Sequence, residues 1–347
     1  MTHTAFTPPD PSTELILLPK CNLHTHLEGS IRPQTFIELA ERQNIPLPFP
    51  ANRAEEHLQV SGEEKSLVEY LDKIMVNYPV LKDYEALRRT AFEAAEDAFT
   101  DGVVYIELRA GPVTHAHNSL TVERCVQAML EGLQQAEEKF GVVARLIIAG
   151  LRNHDPAHNK ALAEIALRYA DSGVVGFDLA GDEAGYPAQL HQEAFALLRG
   201  SNLGITVHAG EAAGFANVRY AIEAIGATRI GHGVHITESP STMEMVRERQ
   251  VLLELCPTSN VHTGAVESPE AHPVRQFFDF GIPISIGDDD PITSRTRVSN
   301  ELMLLQTMFG FTLEELIKVQ LFSLEHSFLR EESLKATLAQ KIRAFTP

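Results

Sequence analysis

The chain contains no tryptophan and only three cysteines among its 347 residues. Cys21, Cys125 and Cys256 are too few and too far apart for a disulfide framework, which points to a reducing compartment. No C-x-x-C pair occurs, which argues against a cysteine zinc site. No apolar run reaches membrane-spanning length, and the longest, such as 146–150, are strand-sized. Residues 1–10 lack the basic patch and following apolar run of a secretory leader. Basic residues are scarce: 29 Lys and Arg stand against 47 Asp and Glu, a net charge of -18 at pH 7. Such a chain repels phosphate backbones, which argues against nucleic acid as a partner but not against a small nucleobase or nucleoside. Together these absences describe a soluble cytoplasmic protein that binds neither nucleic acid nor membrane.

Hydrophobic residues make up 44% of the chain, enough for a sizeable core. Eight short β-rich runs fall at 21–24, 103–109, 142–149, 174–179, 205–208, 229–232, 251–255 and 282–286. Most are continuously apolar, as parallel strands covered on both faces are. Amphipathic helical stretches separate them. Segment 120–139 places Val122, Val126, Met129, Leu130 and Leu133 at helical spacing, with Thr121 as its N-cap. Eight such units predict an α/β fold, a (β/α)8 TIM barrel, as one domain over 1–347. Residues 30–101 are too long for one crossover. They predict a helical insertion after strand one, with helices at 33–42, 66–77 and 83–100. It could form a lid over the catalytic face or pack at the periphery. Residues 1–18, rich in Pro and Thr, read as a loose N-terminal arm.

The unusual polar residues fall where strands end. Strand one ends in His24-Thr25-His26, and alternation along a strand lets both imidazoles face the barrel mouth. Strand five ends at His208, followed by Ala209-Gly210-Glu211; strand six ends in Gly231-His232-Gly233; strand eight runs into Asp288-Asp289-Asp290-Pro291. Each alone has a bland explanation: a core histidine, a turn, or a helix cap for the aspartates. Four together, at ends that a barrel brings to one face, do not. Burying several imidazoles and carboxylates together is costly, and a divalent cation compensates.

His24, His26, His208 and one aspartate give three nitrogens and one oxygen, a set suited to zinc, which activates water at neutral pH. Barrel hydrolases with two metals usually carry a bridging lysine or carboxylate at strand four. Here that strand ends Phe177-Asp178-Leu179-Ala180-Gly181, without lysine. One metal per chain is therefore favoured, with His232 left as a base or an electrostatic guide.

These residues, with their neighbours, resemble the adenosine deaminase family of metal-dependent barrel hydrolases. The matching pieces are His24-Thr25-His26-Leu27-Glu28-Gly29, Val104-Tyr105-Ile106-Glu107-Leu108-Arg109, Asp178-Leu179-Ala180-Gly181-Asp182-Glu183, His208-Ala209-Gly210-Glu211, Arg229-Ile230-Gly231-His232-Gly233, Cys256-Pro257-Thr258-Ser259-Asn260 and Asp289-Asp290-Pro291. They keep the family's order across roughly 20–330 and look closest to bacterial members. The resemblance implies zinc-dependent hydrolytic deamination of adenosine, or a related adenine nucleoside, at C6. It implies His24, His26, His208 and Asp289 as zinc ligands and Glu211 as a protonated donor to purine N1. His232 and Asp289 would orient or deprotonate the water. Asp290 would meet N7, the Gly181 N–H would meet N3, and Glu28 would lie toward the sugar.

Two positions depart from the adenosine pattern. Glu28 stands where many adenosine deaminases have Asp; relatives acting on adenine or on aminodeoxyfutalosine often have Glu. Asp288 stands where the family often has Thr or Ser, and is expected to point outward. Rival functions are an aminodeoxyfutalosine or adenine deaminase, a ring-opening amidase-type hydrolase, and a non-catalytic purine- or metal-binding relative. Against the last, Glu211 and His232 are both present. The small zinc deaminases are a different solution: His26-Leu27-Glu28 imitates their H-x-E, but no P-C-x-x-C exists here. Oligomeric state is not written in the sequence.

Overall fold

A computed structural model describes residues 5–64 and 66–346. Among these, eight strands follow one another around a single sheet: β1 Lys20–His26, β2 Val103–Ala110, β3 Val143–Leu151, β4 Val174–Ala180, β5 Gly204–Ala209, β6 Arg229–His232, β7 Leu252–Leu255 and β8 Ile284–Ile286. Every consecutive pair is parallel. The ring closes through a parallel bridge between Thr25 and Asp289. There the Asp289 N–H donates to His24 O at 3.0 Å and the His26 N–H to Asp289 O at 2.6 Å. The TIM barrel expected from the apolar runs is thus present. Almost every strand residue is buried, as covered parallel strands require. No helix of the described residues is long and apolar enough to cross a membrane.

The segment after β1 holds α1's successors: α1 is Thr13–Leu17, then come α2 Pro33–Gln43, α3 Ala54–Leu58, α4 Leu67–Met75 and α5 Tyr84–Thr100. The short α3 was not foreseen. Helix α5 packs on β2 and on α7 (Val122–Phe140), which follows the one-turn α6 (Pro112–His115), so it belongs to the outer ring of the barrel. Thr121 caps α7 as expected, accepting from the Arg124 N–H.

The loose arm expected over 1–18 is corrected for the described part, 5–18; residues 1–4 lie outside it. Leu15 and Leu18 are fully buried, and Ser12 caps α1. Distant polar groups hold the segment leading in: His262 Nε2 donates to Phe6 O at 2.8 Å and Asn300 Nδ2 to Pro9 O at 2.9 Å. Those partners lie more than 250 residues away, so local composition could not reveal them.

The barrel interior departs from the usual layers of branched apolar side chains. Arg109 on β2 reaches Asp178 on β4 at 3.0 Å and Glu254 on β7 at 2.7 Å. Arg229 on β6 pairs with Glu254 at 2.6 Å and with Glu107 on β2 at 2.7 Å. Only β6 and β7 are neighbours; the other three pairs join strands that are not adjacent, so those charges meet across the interior. Tyr105 and Thr206 donate to the carboxylates of Glu107 and Glu254. Removing one member leaves a buried charge uncompensated. Arg229→Met should therefore lower stability by roughly 3–5 kcal/mol. The surface change Arg53→Met, which breaks only its exposed pair with Glu56, should leave the midpoint unmoved. Urea denaturation of both variants against the parent checks this.

Candidate active site

The C-terminal strand ends converge as the barrel topology requires. His24 and His26 close β1, His208 lies one residue from the end of β5, His232 ends β6, and Asp289 follows β8. His24 Nε2 lies 3.2 Å and His26 Nε2 3.4 Å from Asp289 Oδ1, and the Nε2 atoms of His26 and His208 are 3.2 Å apart. Ligands about 2.1 Å from a tetrahedral zinc stand about 3.4 Å from one another, so these spacings match a shared cation. The ligand atoms of His24, His208, His232 and Asp289 all lie within 4.8 Å of one another. His24 Nε2 is buried without a hydrogen-bond partner.

The far side of two rings is fixed. His24 Nδ1 meets Glu254 Oε2 at 2.8 Å, and His208 Nδ1 meets Asp178 Oδ2 at 2.9 Å. Each carboxylate holds the proton on Nδ1 and leaves the Nε2 lone pair for a metal. Asp289 accepts from Ser259 Oγ at 2.6 Å. Burial opposes its charge, but the adjacent imidazoles of His24, His232 and His26 outweigh it and hold its carboxyl well below the usual range. Both Asp289 (φ 57) and His232 (φ 64) adopt left-handed backbone, which costs non-glycine residues about 1–3 kcal/mol each.

A cavity of about 300 Å³ opens beside this cluster, lined by His26, Glu28, Gly181, His208, Glu211, His232, Asp289 and Asp290. Burial, with the negative charges of Asp289 and Glu183, pushes the Glu211 carboxyl well above its usual range and favours the protonated acid. Thr263 donates to it at 3.1 Å, and His232 Nε2 lies 3.5 Å away. The loop carrying Glu211 is anchored by Glu183, whose two oxygens accept the N–H groups of residues 210–213 and Asn217 Nδ2 at 2.7–3.1 Å. Asp290 is likewise raised by burial and by Asp289. Its Oδ2 accepts from Tyr70 at 3.1 Å, and Tyr70 also meets Ser294, which meets His262. Asp290 Oδ1 is buried without a partner. Gly29 leaves room for it, since an added Cβ there would stand 1.9 Å from that oxygen. Gly181, at the end of β4, has φ +98, a conformation that favours glycine.

Glu28 is buried. Its Oε1 accepts from the Gly111 N–H at 2.9 Å and meets His115 Nε2 at 2.8 Å. Burial would raise its carboxyl, but His115 and Gly111 bring it below the usual range. It neither caps α2 nor pairs with Arg32, which binds Glu96 and Asp97. Asp288, expected to point outward, is instead buried and accepts from Asn22 Nδ2 at 2.8 Å, because the turn after β8 folds it back against β1. Helix α4 supplies Leu67, Leu71 and Ile74 to one wall of the cavity, so the insertion is part of the site rather than peripheral packing.

Several contributors were given no role from sequence: Asp178, Ser259 and Asn260, which stand only within the matching pieces, and Glu254, Thr263, Tyr70 and His115. Glu254 did carry a signal, as a lone acid within the apolar run 251–255. Tyr70 and His115 carried none.

A family model described as adenosine deaminase matches residues 19–345. An adenosine deaminase of Enterococcus faecalis is 37% identical over 325 residues, covering 94% of this chain and 96% of its own. A longer Dictyostelium discoideum protein named as a probable adenosine deaminase is 37% identical over 331 residues, 93% of this chain but 43% of its own. Among solved structures, the adenine deaminase of Arthrobacter aurescens superimposes with a TM-score of 0.87 at 26% identity, over 94% of this chain and 98% of that one.

Two measurements test the metal cluster. Elemental analysis of purified protein should find about one divalent ion per chain, and His208→Ala should lose it. Asp178→Asn keeps the shape but weakens the brace on His208, so metal affinity from chelator competition should fall about 10–100-fold. Two tightly bound ions per chain, or unaltered affinity in Asp178→Asn, would contradict this account.

Proposed function

The chain belongs to the adenosine deaminase family, and from that premise we propose that it hydrolyses adenosine at C6 to inosine and ammonia, using one zinc ion held by His24, His26, His208 and Asp289. The observation that carries this reading is the pairing, across one cavity, of the His/Asp cluster with an acid kept protonated, Glu211. Zinc bound there would activate a water as the nucleophile at neutral pH.

The chain's own residues supply the rest. Glu211 donates its proton to N1, which draws electrons from C6 and makes it open to attack. Asp290, protonated on its unpartnered Oδ1, donates to N7. The Gly181 N–H meets N3, so three edges of the purine are held in one orientation. His232 and Asp289 face the water and orient it. The water's oxygen adds to C6 to give a tetrahedral carbon; one of its protons passes through Asp289 to the amino nitrogen, the C6–N bond breaks to expel ammonia, and the other proton restores Glu211 while the one given to N1 stays on inosine. Glu28 lies at the ribose end, braced by Gly111 and His115, with its second oxygen left for a sugar hydroxyl.

Charge selects among adenine compounds. The described residues lining the cavity include Glu28, Asp72, Asp182, Glu211, Asp289 and Asp290 but no lysine or arginine. A 5′-phosphate would meet carboxylates without a cation, and like charges brought together cost several kcal/mol. This favours a neutral nucleoside over a nucleotide. The free base is the second reading, favoured by the structural likeness to the Arthrobacter adenine deaminase. The three cysteines are free and buried, which suits a reducing, cytoplasmic setting.

Ammonia release from adenosine, 5′-deoxyadenosine, adenosine monophosphate and adenine decides the substrate. Adenosine should exceed the monophosphate in kcat/KM by on the order of 10²–10³-fold. Adenine as the preferred substrate would overturn the nucleoside assignment. Glu28→Gln should lose roughly 1–3 kcal/mol in kcat/KM for adenosine and much less for 5′-deoxyadenosine, with metal content intact. Glu211→Gln should retain the metal and lose roughly 10²–10⁴-fold in kcat. Turnover within a few-fold of the parent would remove Glu211 from its role.

A further inference from the structure

A chain of hydrogen bonds behind His232 has a direction that can be read from its far end. The Val274 N–H can only donate, and its hydrogen bond ends on His272 Nδ1 at 3.1 Å. A neutral imidazole that accepts at Nδ1 carries its proton on Nε2. His272 is fully enclosed, and burial lowers its pKa to about 3, so the neutral form applies. Its Nε2–H therefore donates to Asn260 Oδ1, 3.2 Å away. With its oxygen engaged, Asn260 turns its amide nitrogen to His232 Nδ1 at 3.0 Å. An amide NH₂ can only donate, so His232 Nδ1 accepts. Turning the Asn260 amide over would set two donors against each other at His272 and leave buried groups unsatisfied.

We infer that His272 and Asn260 are positioning residues that fix the tautomer of His232, with the proton on the Nε2 that faces the reacting centre. Two consequences follow. An imidazole with Nε2–H offers no lone pair at Nε2, so His232 is not a ligand through that atom, although it stands within the metal-binding group. Nor can it take a proton from the attacking water there. It donates a hydrogen bond instead, and stabilises negative charge on the oxygen that adds to C6. Of the two roles open to His232 from sequence, base or electrostatic guide, this selects the second. The kinetic part rests on the proposed deamination; the tautomer does not.

The test combines a spectrum with a split in kinetic constants on the metal-loaded enzyme. Imidazole ¹⁵N NMR, with the His232 signals assigned by their loss in His232→Gln, should show Nε2 protonated and Nδ1 unprotonated. Asn260→Asp places an acceptor against Nδ1 and should draw the proton there, reversing the pattern. Turnover should then fall on the order of 10²–10⁴-fold, as for a catalytic histidine held in the wrong tautomer, with metal content and KM for adenosine close to the parent. His272→Phe frees Asn260 to rotate and should give a smaller loss. His272→Gln, whose amide can still donate to Asn260 Oδ1, should recover most of it. An unprotonated Nε2 in the parent enzyme would overturn the inference, as would kcat within threefold of the parent in a folded Asn260→Asp. Should Asn260→Asp not fold, the parent spectrum and the two His272 variants decide. If the parent shows Nε2–H yet does not deaminate adenosine, the reaction is wrong and the tautomer assignment stands.

Discussion

The carboxylate of Glu254, wholly buried in the barrel interior, carries the two halves of the molecule. One oxygen takes the Arg229 guanidinium and the Thr206 hydroxyl; the other takes Arg109 and the His24 ring. Below it the pairs continue to Glu107. Above it an imidazole is aimed at the cation cluster. Arg109 also grips Asp178, which braces His208. The orientation of two ligand rings is thus set by the same charges that fill the barrel. Such a column is costly to bury, and packed hydrophobic residues would often stabilise a barrel as well or better. Its use here is geometric: it holds ring planes that an apolar core could not direct.

The closure of the barrel does similar work from the other side. The bridge between Thr25 and Asp289 ties the ends of β1 and β8 by backbone hydrogen bonds at His24 O and the His26 N–H, on either side of Thr25. Asp289 sits in left-handed backbone to make this turn, and the neighbouring Asp290 is thereby turned toward the cavity. Backbone strain, a carboxylate facing the imidazole cluster and a carboxylate lining the cavity fall on consecutive residues because one turn must serve all three.

Much of this was legible in the sequence, and for identifiable reasons. The eight apolar runs announced the barrel because each strand is covered on both faces, and covered strands cannot hide their composition. The residues around the cation were legible because they end those runs. What stayed hidden depends on contacts between distant parts of the chain. Composition suggested a loose arm, whereas Leu15, Leu18 and the carbonyls of Phe6 and Pro9 are held by residues near the far end of the chain. Asp288 looked like a solvent-facing acid until the turn that buries it was known. His115 and Tyr70 come from loops and helices whose placement no periodicity encodes.

The grip on the N-terminal segment has a wider meaning. Phe6 O holds His262, His262 meets Ser294, Ser294 meets Tyr70, and Tyr70 meets Asp290. The segment at Phe6 therefore acts as a distant buttress for Asp290. A fusion partner or tag joined just ahead of this segment is not an innocent handle. Because the contact is with the Phe6 carbonyl, it is the path of the backbone there, and not the side chain, that is relayed to Asp290.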